Sequence, residues 1–133
     1  MTTTINTNLS LQARQSLFSQ LLAEAKRLNL KVQWVDSENG NFSVDTISLP
    51  SRATYMALEV LAHELVHAMQ FLYGMHWSTP AQWQAEADEI KVILAKFYPA
   101  SSLEYEVPAW ILQSKPGFVL GEVKKLTPVS WKR

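Results

Sequence analysis

Residues 58–69 read Leu58-Glu59-Val60-Leu61-Ala62-His63-Glu64-Leu65-Val66-His67-Ala68-Met69. Apolar residues flank each polar one, and the spacing predicts a helix. On a helix, positions i and i+4 lie one turn apart on the same face. His63 and His67 therefore stand side by side and can reach one tetrahedral metal ion. Glu64, next to the first histidine, falls beside the position such an ion leaves open, where it can act as general base toward a bound water. Two imidazoles and a carboxylate are costly to bury in so apolar a helix unless each is paired. A shared cation pairs them. The chain has only three histidines in 133 residues, so this spacing rarely arises by chance.

Working outward, the order of elements reads as helix, hairpin, then helices. Leu9 to Leu30 carries a helical stripe at Leu11, Leu17, Phe18, Leu21, Leu22, Ala25 and Leu28. Lys31 to Val35 alternates and predicts a strand. Glu38-Asn39-Gly40-Asn41 predicts a hairpin turn, because Asn-Gly tolerates positive φ. Phe42 to Leu49 is the expected return strand, ended by Pro50, with Ser51 as a cap for the helix from about Arg52 to Tyr73. Thr79-Pro80 opens a further helix from about Ala81 to Phe97. Pro99 breaks it, a short helix covers about Leu103 to Gln113, and Lys115-Pro116-Gly117 leads into a mixed tail.

Composition bounds the function. The 133 residues predict a single domain, 1–133, large enough to bury a core. Lys plus Arg and Asp plus Glu both number 12, so no overall field attracts nucleic acid or an acidic membrane. The C-terminal Lys124, Lys125, Lys132 and Arg133 read as solvated charges. With no cysteine, disulfides, thiol catalysis and Cys-ligated zinc are excluded. Met1 to Asn8 is polar and uncharged, unlike a signal peptide, and no apolar run approaches a membrane span. The expectation is a cytoplasmic protein, monomeric by default.

The His63-Glu64-Leu65-Val66-His67 pattern resembles the HExxH motif of the zincin metallopeptidases. The resemblance implies a zinc ion (Zn2+), two histidine ligands, a zinc-bound water activated by Glu64, and hydrolysis of peptide bonds in a peptide or protein substrate. It also implies an α+β, zincin-like fold: an N-terminal helix, a short hairpin or sheet, the HExxH helix and a following glutamate helix. In that fold Thr46 to Leu49 would be the edge strand over the cleft. A longer zincin form, HExxHxxGxxH, is excluded, because Gln70 and Tyr73 occupy its glycine and final histidine positions. That leaves a gluzincin arrangement, in which a later carboxylate completes the site.

Two glutamates compete for that role. Glu86 follows His67 after eighteen intervening residues, the spacing of one large gluzincin group, and an antiparallel helical hairpin would bring it opposite His67. Glu106 shares a helical face with Leu103, Val107 and Trp110. It also stands three residues before Ala109, a pattern similar to the glutamate helix of small bacterial and phage peptidases of the IrrE/ImmA-like and HtpX-like kinds. Here Trp110 replaces the Asn or Asp usual after that alanine, and Pro108 replaces what is often a second Glu. Glu106 carries more weight, because its pattern does not depend on hairpin register. Glu104, Glu89 and His76 are lesser candidates. Donors that could steady an oxyanion are His76, Tyr73 and Tyr105, and Gln70 could orient a ligand. A zinc-bound regulatory or binding protein with little catalysis is the alternative to a peptidase, though a retained Glu64 base argues against it.

Overall fold

A computed structural model describes residues 9–74 and 79–130. Helix α1 (Leu11–Arg27) is followed by strands β1 (Lys31–Val35), β2 (Asn41–Ser43) and β3 (Thr46–Pro50). A 3-10 turn at Thr54–Met56 then leads into α2 (Ala57–Leu72). After a second 3-10 turn at Ala81–Trp83 come α3 (Gln84–Leu94), α4 (Ala100–Leu112) and α5 (Pro116–Val123). Among the described residues, five helices and one three-stranded sheet make a small α+β fold.

α1 is closed at both ends by local chemistry. The Ser10 side chain accepts from the Ala13 N–H at its start. At its end Asn29 takes positive φ, 66°, which asparagine tolerates better than most residues. Leu30 N–H then reaches Ala25 O and Asn29 N–H reaches Lys26 O, which satisfies two of the last carbonyls.

The sheet departs from the expected hairpin. Its order is β1-β3-β2, with β1 parallel and β2 antiparallel to β3. The segment from Phe42 to Leu49 is therefore not one return strand. It folds back on itself at Val44-Asp45, between the paired residues Ser43 and Thr46. Thr46 to Leu49 is consequently the central strand and not the edge strand over the cleft. Asn39-Gly40 serves another purpose. A Cβ added at Gly40 would collide with the Val60 side chain and come within 3.1 Å of Ser48 O. The glycine lets the chain pass directly against α2.

α2 runs through the middle of the molecule. Twelve of its 16 residues are buried, as expected for a helix apolar on most sides. It packs on α1, β3, α4 and α5, and Leu21, Leu28, Ile47, Leu49, Leu61, Leu65, Met69, Leu112 and Val119 fill the space between. A second cluster of Ala87, Leu94, Val107 and Ile111 joins α3 to α4. Ser51 caps nothing: Ala53 precedes the 3-10 turn and Met56 precedes α2, neither with a side-chain cap. The tail after Lys115 is helical, because Pro116 sits at the first turn of α5, where its missing N–H costs nothing. Among the described residues no helix is long and apolar enough to cross a membrane.

One buried carboxylate of α2 belongs to the scaffold. Glu59 is fully buried and takes both guanidinium arms of Arg14 at 2.7 Å. The pair ties α1 to α2, and Arg14 also donates to Tyr55 O at 3.2 Å. Such a fork-to-fork bond satisfies a charge that could not otherwise be buried.

Candidate metal centre

α2 and α4 each contribute one face with the same spacing. On α2 the face carries His63, His67 and Gln70. On α4 and its C-cap it carries Glu106, Trp110 and Gln113. Both sets fall at i, i+4 and i+7, one stripe of a helix. His63 meets Gln113, His67 meets Glu106, and Gln70 meets Tyr105, so the two helices run antiparallel.

Three atoms converge between them. His63 Nε2 lies 3.2 Å from His67 Nε2. Glu106 Oε1 lies 3.3 Å from His67 Nε2 and 3.5 Å from His63 Nε2. A tetrahedral ion with ligand bonds near 2.0–2.2 Å separates its ligand atoms by about 3.3–3.6 Å. The triangle is within 0.1 Å of that range. A looser grouping also exists: ligand atoms of His63, Glu64 and His67 lie within 4.8 Å of one another, close enough to hold a metal ion. The tighter triangle, with Glu106 in place of Glu64, fits a single tetrahedral ion better and leaves Glu64 free beside it.

The outer nitrogens of both imidazoles are committed. His63 Nδ1–H donates to Gln113 Oε1 at 2.8 Å, and His67 Nδ1–H donates to Gln70 Oε1 at 2.8 Å. Each bond places the proton on Nδ1 and turns the Nε2 lone pair toward the triangle. Gln70 donates in turn to Tyr105 O at 3.0 Å, next to Glu106. In the same turn Pro108 has no N–H to offer the Glu104 carbonyl. Trp110 closes one side, its ring edge-on to His63 with centroids 5.4 Å apart. Phe71 flanks His67 at 6.2 Å and stacks on Tyr105 at 5.6 Å.

The electrostatics follow from crowding. Burial alone would raise the Glu106 carboxyl, but without metal the imidazoles of His63 and His67, donating from Nε2 when protonated, outweigh it and hold the group down at about 2. Burial would lower His67, yet Glu106, Gln70 and Glu64 together raise it. Glu64 is raised, first by burial and further by the charge of Glu106, against the pull of both histidines. A buried carboxylate with a raised proton affinity, beside paired imidazoles, is suited to taking up a proton.

A cavity of about 560 Å³ opens on the His63 and Glu64 side. Its other walls come from Gly40 and its neighbours, from the Arg52–Met56 segment, and from Tyr98, Trp110 and Gln113. Of the residues singled out from sequence, His63, Glu64, His67 and Glu106 come together. Glu86 does not join them: it is half-exposed and pairs with Lys115 Nζ at 3.1 Å. The Tyr73 hydroxyl donates to Thr127 O at 2.6 Å. His76 lies outside the described residues. Sequence reasoning missed Gln113 and Tyr98. Gln113 was discoverable once Glu106 was chosen, being two helical turns further along the same face. Tyr98, in the connection before α4, carries no spacing signal.

No protein-family model, curated protein or solved structure matches this chain.

Proposed function

We propose that the protein is a zinc-dependent metallopeptidase. The observation that carries the reading is the 3.2–3.5 Å triangle of His63 Nε2, His67 Nε2 and Glu106 Oε1. Two imidazoles and one carboxylate are a donor set suited to zinc at a catalytic site, where a fourth position stays open. A zinc ion there would supply a Lewis acid that polarises a carbonyl and acidifies a water. His63, His67 and Glu106 would hold it, with Gln113 and Gln70 fixing the imidazole tautomers.

Glu64 performs the proton transfers. It lies one residue from His63 on the same helix and lines the cavity from which a peptide would approach. It accepts a proton from the attacking water and passes it to the departing amine. The chain thus separates its carboxylates by role: Glu106 is kept ionised by the imidazoles, whereas Glu64 is biased toward holding a proton. The cavity is lined by backbone turns and mixed polar and apolar side chains, which suits an extended peptide.

The test is Glu64→Gln. The variant should retain one zinc per chain and the native fold, and should lose about 10²–10⁴-fold in cleavage of unstructured peptides. Wild-type turnover in Glu64→Gln would reject the mechanism. Stoichiometric zinc without cleavage of any member of a broad peptide library would reject the peptidase assignment and leave a metal-binding protein.

A further inference from the structure

We propose that the outer edge of β1 is a self-association surface, and that two copies of this chain pair antiparallel through Lys31–Val35 about a twofold axis at Gln33. The pairing replaces the monomer expected by default and does not depend on the hydrolytic reading.

The backbone selects this edge. In the order β1-β3-β2, β1 and β2 are the edge strands. β2 has only three residues, and shortness blunts an edge. β1 has five, without proline and with one charge, Lys31, at its start. Its register on β3 is unbroken from Lys31–Thr46 to Val35–Pro50. Lys31 N–H donates to Asp45 O at 2.8 Å, and Val35 O accepts from Ser51 N–H at 2.9 Å. Alternate residues of a strand turn their polar groups to opposite sides, so Lys31, Gln33 and Val35 face β3 and Val32 and Trp34 face outward. Among the described residues, the outward N–H and C=O groups of Val32 and Trp34 have no partner.

Those groups are spaced to meet a copy of themselves. With Gln33 on the axis, Val32 stands opposite the partner's Trp34, and Trp34 opposite the partner's Val32. In an antiparallel ladder such a pair exchanges both N–H···O bonds. A strand of identical sequence therefore satisfies every outward donor and acceptor, as an isologous interface requires.

The side chains agree with that register. Val32 and Trp34 pair with the buried Ile47 and Leu49 of β3, so they lie on the core face of the sheet. Trp34 tilts over Phe18 of α1 with centroids 6.2 Å apart and is still 50% exposed. Beside it a groove of about 510 Å³ is lined by Leu11, Phe18, Tyr55 and Leu58. At the other end of β1 a second hollow is lined by Leu22, Lys26, Leu30 and Val32. The twofold brings the partner's Val32 against Trp34, and an aromatic facing a β-branched residue is a favourable cross-strand pair.

Charge fits the same geometry. Lys31 starts β1 and Asp36 follows its end, both largely exposed. Their partners within the chain, Asp45 at 3.6 Å and Arg52 at 3.0 Å, form surface pairs that contribute little. Antiparallel pairing sets each Lys31 beside the partner's Asp36. The chain has no net charge to oppose association. A register shifted by one residue loses both the apolar and the charged matches. Tyr55 lines this groove and also the cavity at the candidate metal centre, so the second copy rests against the turn that walls that cavity.

The experiment uses the full chain. Sedimentation velocity should show a reversible monomer–dimer equilibrium as concentration rises. The chain has no cysteine, so an introduced thiol reports without interference. Gln33→Cys places two thiols on the axis in a non-hydrogen-bonded pair, with Cα atoms about 4.5 Å apart, a separation that a disulfide spans. It should become a covalent dimer with oxidised glutathione. Lys31→Cys, whose two copies stand about 14 Å apart in this register, should not. Trp34→Glu should leave a monomer at every concentration. Should Trp34→Glu fail to fold, the pair Gln33→Lys and Gln33→Glu replaces it. Each alone should weaken the dimer by about twofold to fivefold, through like charges facing across the axis, and mixing the two should restore it. A wild-type chain that stays monomeric throughout would overturn the proposal. A dimer in which Lys31→Cys cross-links as readily as Gln33→Cys would overturn it too, by placing the interface elsewhere. So would a chain that dimerises only after removal of residues 1–8 or 131–133, since the edge would then belong to its own terminus.

Discussion

Glu106 and Glu86 show how position decides what a carboxylate can do. Glu106 sits between two imidazoles, and Glu86 sits in solvent beside Lys115. Glu106→Ala should therefore lower zinc affinity by more than the roughly 10–100-fold expected for losing a hydrogen-bond partner of a ligand, and Glu86→Ala should leave it unchanged. Competition against a chelating dye measures both, and the reverse result would reassign the third ligand. The same residues set the acid–base behaviour of chelated protein. The Glu106 pKa is depressed, to about 2, so its contribution to stability is present above the ordinary 4.5 and lost as pH falls toward 2. The His67 pKa is raised, so its contribution is complete below the ordinary 6.5 and lost as pH rises through the folded value. Glu64 is raised as well and opposes folding once it must ionise. Melting temperature without metal should thus peak between these limits, and Glu106→Gln should flatten the acid arm. An acid arm identical to wild type in Glu106→Gln would contradict the assignment.

At the scale of elements, two turns exchange the roles their sequences suggest. Asn39-Gly40 has the composition of a hairpin turn but is needed where the chain crosses α2 at Val60, one turn before His63. Gly40→Ala should force that crossing apart and cost about 1–3 kcal/mol in denaturant unfolding. An unchanged midpoint would show that the loop yields freely. The real hairpin turns at Val44, a β-branched residue at φ 57° and largely exposed. Val44→Gly should raise stability by about 0.5–1 kcal/mol, since relief of the left-handed strain exceeds the added chain entropy. A lower denaturation midpoint would refute the strained turn. These two sites explain why the order of the sheet was illegible in the sequence, although the strand Lys31–Val35 was not: the turn signal was spent on a close approach, and the turn itself lacks one. α2 and α4 were legible because their chemistry repeats with helical period. α5 was not, because Pro116-Gly117 reads as a break although Pro116 opens a helix. The Glu86 spacing misled for a related reason. It presumes a register between helices that loop length alone determines, whereas the Glu106 face is internal to one helix.

For the molecule as a whole, the candidate metal site and the core share one helix. α2 places Leu61, Leu65 and Met69 in the hydrophobic interior and His63 and His67 at the site. Zinc bound by the native state alone stabilises it by mass action, about 2.7 kcal/mol at a free concentration one hundred times Kd. Saturating zinc should therefore raise the melting temperature of chelated protein by several degrees, and His63→Ala should abolish the rise. A zinc-induced shift that persists in His63→Ala would place the ion elsewhere.

The burial of α2 also fixes how the site can fail. Amides of a helix that most of the molecule packs against exchange with solvent only when the whole fold opens, whereas loops and termini open at little cost. The amides of residues 61–69 should therefore be among the slowest to exchange deuterium, and the ligand geometry should survive until the cooperative transition. The cavity walls away from α2 are built differently, from the Gly40 crossing, the Arg52–Met56 segment and Tyr98. Motion there would change access to the cavity while the helix that carries the candidate ligands stays closed to solvent exchange, so on the proposed reading access to the site and integrity of the site would have separate causes.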